Sequence, residues 1–255
     1  MSSEIISSRD NALVKKLRAL AQDAAAYRKL GQVWLEGDHL CRALLARGLQ
    51  PQAVVMAQSA QVQVAQWQLD PSVRRVVLTD GLMAQISSLE SPAAMGFVHA
   101  LPADQALHPN APSVVLDRLQ DPGNVGSILR SAAAMGFRQV LALKGTAALW
   151  SPKVLRAGMG AHFALRLVEG LDVADIDGLV VPLLATSSHQ GDWLHRARLP
   201  WPCGWIMGHE GQGVSPELQQ RARQHIRIVQ PGGEESLNVG AAAAICLHAS
   251  AAARG

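Results

Sequence analysis

The sequence has 255 residues, a formal net charge of +3 and a pI near 9.0, so it is mildly basic and neither half is strongly charged. Its composition, 49% hydrophobic and 17% charged, excludes a disordered chain and suffices for one large or two ordinary domains. Because six of the aromatic residues are Trp and only one is Tyr, rows of exposed aromatics for stacking bases are not evident.

The first hundred residues predict a small α/β domain. In residues 11–26, Leu13 and Leu17 recur at helical spacing and Lys16 lies on the opposite face. The basic side chains of residues 9–29 form the one obvious phosphate-attracting stripe of the sequence, although such a run is more often a solvated face. We predict strands at residues 32–36, 53–57, 75–78 and 97–100, and helices at residues 11–26, 38–47 and 81–89.

A proline-containing segment, residues 101–112, predicts a stiff linker, which divides the chain into domains at 1–100 and 113–255. The second domain alternates apolar runs with helical patterns, which predicts a mostly parallel sheet covered by helices on both faces. We predict a turn at residues 121–126, strands at 113–117, 139–143, 179–185, 204–207 and 226–229, and helices at 127–135, 151–158, 172–176 and 216–223.

The last forty-eight residues are the most informative stretch. Residues 208–213 read GHEGQG, and glycines so close to one carboxylate indicate a backbone that approaches a ligand. The motif of residues 235–240 follows, and we expect Ser236 to cap a helix at residues 237–253. In this interpretation Asn238 lies inside the helix, where its amide gains little structurally and is available for function.

Polar side chains follow the predicted strands at their carboxyl ends, where ligands bind in parallel sheets. We therefore expect them to converge on one site, whose members would be Asn124, Arg130, Thr186, Glu210, Ser236 and Asn238. The signatures of several enzyme classes are absent: no phosphate-binding loop, no dinucleotide fingerprint, no H-E-x-x-H, and no histidine to complete a triad with Ser236. These absences argue against a nucleotidase, an oxidoreductase, a metalloprotease and an esterase.

The three cysteines lie far apart in the sequence, with neither C-x-x-C nor zinc-ligand spacing, which predicts buried thiols in a reducing compartment. The first ten residues are polar, and no apolar run reaches about 18 residues. We therefore expect a cytoplasmic protein.

Three motifs together resemble the SpoU/TrmH group of SPOUT RNA methyltransferases. They are residues 124–130 (NVGSILR), residues 208–213, and residues 228–239 with Ser-Leu-Asn-Val at the end, in order and at the expected spacing. Residues 4–100 resemble, more loosely, the L30e-like substrate-binding domain of that group. The resemblance implies a deep trefoil knot in the second domain, a homodimer, S-adenosylmethionine as methyl donor, and an RNA ribose 2′-hydroxyl as acceptor. No metal is implied, because the sulfonium already activates the methyl group.

The resemblance also assigns roles to residues. Gly208, Ile228 and Leu237 match positions that hold the cofactor, and Thr186 is a further candidate for the same pocket. Arg130 matches the catalytic position, supplied by one protomer. Because a guanidinium stays protonated, we expect Arg130 to clamp a phosphate and stabilise the forming alkoxide rather than act as a base. Asn124, Glu210, Ser236 and Asn238 would orient the hydroxyl, the arginine or the loops.

Val229 and Gln230 occupy places where the family commonly has Pro-Met, which leaves the shape of the cofactor pocket open. Ribosomal RNA is the preferred substrate by analogy with the type of N-terminal domain, and transfer RNA is the alternative. A non-catalytic RNA-binding or ribosome-assembly protein on the same fold, and a base methylase of the same superfamily, also stay open.

Overall fold

The computed structural model of the protein describes residues 5–103, 106–232 and 236–254. It divides the chain into two compact units, the first formed by residues up to 103 together with 150–163 and the second by the remainder. Residues 150–163 therefore belong to the first unit, although they follow the predicted linker. Positions 104–105 of that linker, and Glu235 of the last motif, lie outside the described residues. No helix among the described residues is long and apolar enough to cross a membrane.

The first unit is built on a five-stranded mixed sheet. Its strands are β1 (Ile5–Ile6), β2 (Gln32–Glu36), β3 (Ala53–Ala57), β4 (Arg74–Leu78) and β5 (Met95–Ala100). Their order across the sheet is β1-β4-β3-β5-β2, in which β5 runs antiparallel to both of its neighbours. The four predicted strands are confirmed, and β1 is an additional strand that the pattern missed.

The three predicted helices of this segment are shorter than predicted, and two short helices, at residues 26–30 and 61–65, were not predicted. The α-helices are α1 (Ala12–Gln22), α2 (Ala26–Leu30), α3 (Asp38–Leu45), α4 (Gln61–Ala65) and α5 (Asp80–Ala84). The amphipathic pattern of α1 is confirmed, because Val14, Leu17 and Leu20 are buried. The predicted helix at residues 11–26 is interrupted at Asp23, whose extended backbone ends α1 and whose Oδ1 accepts a hydrogen bond from Ala25 N at 2.8 Å.

The second unit is built on a seven-stranded sheet in which every neighbouring pair is parallel. Its strands are β6 (Ser113–Leu116), β7 (Gln139–Leu143), β8 (Arg166–Leu171), β9 (Leu183–Thr186), β10 (Asp192–Trp193), β11 (Gly204–Met207) and β12 (Gln224–Arg227). Their order is β10-β12-β9-β11-β6-β7-β8, so the α/β prediction with a mostly parallel sheet is confirmed. β8 and β10 were not predicted, and β12 ends before Ile228.

The described residues after 105 contain four further α-helices: α6 (Pro122–Ala134), α7 (Pro152–Gly158), α8 (Pro216–Arg221) and α9 (Val239–Ala252). α7 belongs to the first unit. The helix predicted at residues 172–176 is a 3-10 helix, Val173–Gly178. In the second unit α9 packs against α6 and β11, and the Trp205 indole N–H of β11 donates to the Ser250 hydroxyl of α9 at 2.9 Å.

Two predictions about helix starts are wrong. Residues 121–126 are not a turn before the helix, because Asp121 is the N-cap of α6 and its Oδ1 accepts from Asn124 N at 2.7 Å. Likewise α9 begins at Val239 and its cap is Asn238, not Ser236. The Asn238 Oδ1 accepts from the amides of Gly240 and Ala241 at 2.9 and 3.2 Å, so this side chain does have a structural role.

Candidate active site

The predicted site residues lie at the carboxyl edge of the seven-stranded sheet. Ala185 pairs with Ile206, and Thr186 pairs with Ile226, so the ends of β11, β9 and β12 are side by side. Gly208 follows β11 and Ile228 follows β12. Because neighbouring strands are about 4.8 Å apart, the three predicted cofactor positions on these strands share one edge.

Three motifs are joined by a chain of side-chain hydrogen bonds. Asn238 Nδ2 donates to Asn124 Oδ1 at 2.9 Å, and Asn124 Nδ2 donates to Glu210 Oε1 at 3.2 Å. The direction of each bond is fixed, because Asn238 Oδ1 is occupied by helix amides and a carboxylate only accepts. The structure therefore brings together Asn124, Glu210 and Asn238, which lie far apart in the sequence.

Glu210 connects this series of hydrogen-bonded side chains to the loop between β6 and α6. Its carboxylate also accepts from the backbone amides of Gln120 and Asp121, at 3.3 and 3.2 Å. Partial burial acts to raise the pKa of Glu210, but hydrogen bonds from its own amide, the Asn124 side chain and the two loop amides outweigh it and lower the pKa. Glu210 is therefore held in its charged form, as an acceptor at the start of α6.

The glycine-rich loop at residues 208–213 folds back on itself. His209 N donates to Gly213 O at 3.0 Å, and Gly213 N donates to His209 O at 2.8 Å. A Cβ on Gly208 would lie 2.2 Å from the Gly213 carbonyl carbon and from Val214 N, so only glycine fits there. The sequence predicted that this glycine-rich backbone lies close to a ligand. Within the chain, Gly208 instead lies close to the backbone of Gly213 and Val214 in the same loop.

Arg130 stands apart from the hydrogen-bonded chain. It lies on α6, six residues after Asn124, which turns its side chain about 120° around the helix axis. Its side chain is exposed and forms no hydrogen bond or ion pair with any described residue. Within one chain, the structure does not bring Arg130 to Asn124, Glu210 and Asn238.

The remaining predicted residues are near the site but make few contacts. Ser236 is exposed and has no hydrogen bond within the described part of the chain, while Leu237 is 38% exposed. Ile228 is half-buried. The Thr186 hydroxyl donates to Ile206 O at 3.0 Å, so its donor is already used within the sheet.

The sequence interpretation missed Asp121, which holds the first turn of α6 and thereby positions Asn124. The signal was present, because Asp followed by Pro is a common N-cap and first-turn pair. Among residues 5–103, 106–232 and 236–254, no group of three or more His, Cys, Asp and Glu side chains is placed to hold a metal ion.

Comparison with known families identifies the second unit. The model of the SpoU rRNA Methylase family matches residues 111–248, which is more than half of the chain and contains all three motifs. The chain belongs to the SpoU rRNA Methylase family. The family resemblance predicted from the three motifs is thereby confirmed.

Relatives and solved structures agree with this membership. An uncharacterized tRNA/rRNA methyltransferase of Synechocystis is 33% identical over 95% of this chain and 92% of its own length. The 23S rRNA (guanosine(2553)-2′-O)-methyltransferase RlmP of Bacillus subtilis is 27% identical over 84% of this chain and 86% of its own. The AdoMet-bound rRNA methyltransferase of Sinorhizobium meliloti superposes with a TM-score of 0.83 at 25% identity, over 97% of each chain.

Proposed function

We propose that this protein is an S-adenosylmethionine-dependent RNA methyltransferase that methylates a ribose 2′-hydroxyl, with ribosomal RNA as substrate. The observation that carries the proposal is the hydrogen-bonded chain from Asn238 through Asn124 to Glu210, which unites the three family motifs at one sheet edge. The Bacillus relative, which acts on 23S rRNA at a 2′-oxygen, supports the choice of reaction and substrate.

The residues at the ends of β11, β9 and β12 fit an adenine-bearing cofactor. Half-buried Ile228 and the partly exposed Leu237 and Val229 offer apolar surface for a ring, and the two exposed side chains are 38% and 44% accessible. The Gln230 Oε1 is buried without a hydrogen-bond partner among the described residues, so it can accept from an amino group. Gly208, Ile228, Leu237 and Thr186 are accordingly the residues we assign to S-adenosylmethionine. When bound, the cofactor supplies a methyl group on a sulfonium.

The protein's task is to make a ribose hydroxyl a better nucleophile. Asn124 and Asn238 each keep one amide N–H that is not used within the described chain, and Ser236 adds an exposed hydroxyl. These groups face solvent beside the Glu210 anchor, and we assign them the orientation of the ribose hydroxyl. Because a guanidinium donates hydrogen bonds and accepts none, the role we assign to Arg130 is to hold the neighbouring phosphate and to stabilise the developing alkoxide.

A homodimer would complete the site, with Arg130 supplied by one protomer to Asn124, Glu210 and Asn238 of the other. Two observations support this: Arg130 is exposed and unpaired among the described residues, and its position on α6 lies about 120° around the helix axis from that of Asn124.

Finer features of the fold belong to the same proposal. In the sheet, β9 lies between β11 and β12. The helix α9 follows β12 in the sequence, yet it packs against β11 and α6. This return path supports a deep trefoil knot, which is exceptional among protein folds. The mixed sheet of the first unit supports an L30e-like RNA-binding domain.

Burial raises the pKa of Cys203 to about 11 and that of Cys246 to about 12, so both are unreactive thiols. Unpaired buried thiols are typical of reducing compartments, and we propose a cytoplasmic location.

The proposal is tested by incubating the protein with S-adenosylmethionine and ribosomal RNA, digesting the RNA to nucleosides, and measuring their masses. A 2′-O-methylated nucleoside is the expected product. Failure to bind S-adenosylmethionine in calorimetry would favour the non-catalytic RNA-binding alternative. A methyl group found on a base would show that the protein is a base methylase. A product found on transfer RNA but not on ribosomal RNA would show that transfer RNA is the substrate.

A further inference from the structure

A cavity of about 320 Å³ lies at the carboxyl ends of β6, β7 and β8, on the other half of the edge that carries the proposed cofactor residues. Its volume is near the lower end of the roughly 300–1,000 Å³ typical of small-molecule sites. Leu143, Leu171 and Val173 give it an apolar surface. A flat, largely apolar group can therefore bury its faces here.

One wall of the cavity carries an unmet hydrogen-bonding group. Ser215 lines the cavity, is only 8% exposed, and its hydroxyl oxygen is buried with no partner among the described residues. Ser215 is the N-cap of α8, yet its hydroxyl makes no capping hydrogen bond. Buried hydroxyls are rarely left unpaired, so this oxygen indicates a ligand that donates or accepts here.

The charges around the cavity do not favour a simple anion. Asp117 is buried and is already satisfied by Arg118 Nε at 2.8 Å and by Ser215 N at 2.6 Å. Lys144 Nζ pairs with Asp172 Oδ2 at 2.6 Å, which leaves the two other N–H groups of the ammonium and the Glu217 carboxylate for a ligand. Mixed donors and acceptors beside an apolar surface match the edge of a nucleobase, since carboxylates accept from its N–H groups and ammonium groups donate to its carbonyl oxygens.

The cavity is connected to the proposed active site. The Arg118 guanidinium donates to Asp117 on one side and to Gln212 Oε1, at 3.2 Å, on the other. Gln212 belongs to the same loop as Glu210, whose carboxylate binds Asn124. Arg118 holds this position with a left-handed backbone, φ 58°, which residues other than glycine rarely adopt. The loop at residues 208–213 thus separates two neighbouring sites.

We propose that this cavity binds the unstacked nucleobase of a ribonucleotide, namely a nucleotide of the RNA substrate next to the one that is methylated. The base would pack on Leu143, Leu171 and Val173, and its polar edge would reach Ser215 and Lys144. This assignment rests on the proposed function in that RNA is the substrate. The chemistry of the site would also accept the base of a free nucleotide, which the experiment distinguishes.

The test is calorimetry on the full-length protein with cytidine monophosphate, guanosine monophosphate, ribose 5-phosphate and a short mixed-sequence oligoribonucleotide. Adenine nucleotides are avoided because they would compete for the proposed cofactor residues. Ser215→Ala and Lys144→Gln should each weaken binding about tenfold, the loss expected for one hydrogen bond to a charged or buried group. Lys153→Gln is the matched control, because Lys153 is exposed and does not line the cavity.

If both variants bind the mononucleotides and the oligoribonucleotide more weakly than the parent, the cavity binds a base of the RNA. If they lose affinity for the mononucleotides alone, the ligand of the cavity is a free nucleotide. Ribose 5-phosphate that binds as well as the nucleotides overturns the base assignment, as do unchanged affinities in both variants. Unfolding midpoints equal to that of the parent protein establish that the variants are folded. If the nucleotides bind but no RNA is methylated, the proposed function fails and the cavity assignment stands. If RNA is methylated but both variants bind nucleotides as the parent does, the cavity assignment fails and the proposed function stands.

Discussion

Asn238 combines two tasks in one side chain. Its oxygen caps α9, and its nitrogen donates to Asn124. Aspartate is as good a cap as asparagine but has no N–H to donate. The two tasks can therefore be separated by substitution.

Asn238→Ala should lower the free energy of unfolding by about 0.5–2 kcal/mol, the usual effect of losing a cap. Asn238→Asp should keep most of that stability while methyl transfer stays as low as in the alanine variant, because the donor to Asn124 is lost. Chemical denaturation and a methylation assay measure the two effects. Equal activity in Asn238→Asp and the parent protein would contradict the role assigned to the N–H.

Glu210 makes stability depend on pH. Its pKa is lower in the folded protein than the ordinary 4.5, so its contribution is fully present above that value and is lost as the pH falls through the folded pKa. Because Glu210 is exposed, the contribution should not exceed about 1 kcal/mol. Glu210→Gln should therefore be less stable than the parent near neutral pH, and the difference should vanish in acid. Denaturation across this range measures it, and a difference that grows in acid would contradict the assignment.

Asn124→Asp should have the opposite pH dependence. A carboxylate would replace an amide whose nitrogen is 3.2 Å from Glu210 Oε1, so the pKa of one of the two acids must rise. A raised folded pKa means that the folded state binds the extra proton, so the variant regains stability as the pH falls. Thermal unfolding at several pH values measures this, and Asn124→Ala, which adds no charge, is the control. A variant whose loss of stability is independent of pH would refute the predicted repulsion.

At the scale of elements, α9 is held by small residues and by the buried hydroxyl of Ser250, which contacts Trp205 and Cys203. Trp205 and Ser250 are both buried, and the indole N–H donates to the hydroxyl. Ser250→Ala would leave that N–H unpaired, at a cost of about 1–3 kcal/mol. Denaturation of Ser250→Ala, alone and combined with Trp205→Phe, tests this. The double variant should show less than the sum of the single effects, and simple additivity would exclude the coupling.

The central elements were predictable because their patterns are strong. β6, β7 and β11 are buried and, after Ser113 and Gln139 at two of their first positions, apolar, and the three motifs identified the family. The failures have local physical causes. β8 contains Glu169 and Gly170, which hide a strand, and β10 has only two residues. The prediction that Ser236 caps α9 is wrong, because both Ser and Asn are good caps and the local pattern favoured the first of them. The structure gives the cap to Asn238, which also bonds Asn124 across more than a hundred positions.

For the whole molecule, the proposed dimer makes a prediction about mixed subunits. Arg130→Ala should abolish methyl transfer and leave cofactor binding nearly intact, and Asn238→Ala should also be inactive. If Arg130 acts across the dimer, mixing the two variants places both changes in one site and leaves the other site of each mixed dimer intact. With random assortment of subunits, about a quarter of the parent activity should return. An inactive mixture whose subunits exchange would instead place Arg130 in the site of its own chain.

The order of strands in the second unit also dictates when that unit can form. β11 lies at the centre of the sheet, between β6 and β9, yet it is the sixth of the seven strands along the chain. Contacts between residues so distant in sequence make folding slow, and they leave earlier strands without a partner. A nascent chain therefore exposes the facing edges of β6 and β9 until Gly204–Met207 has been synthesised, and that interval is when this protein is most prone to aggregate.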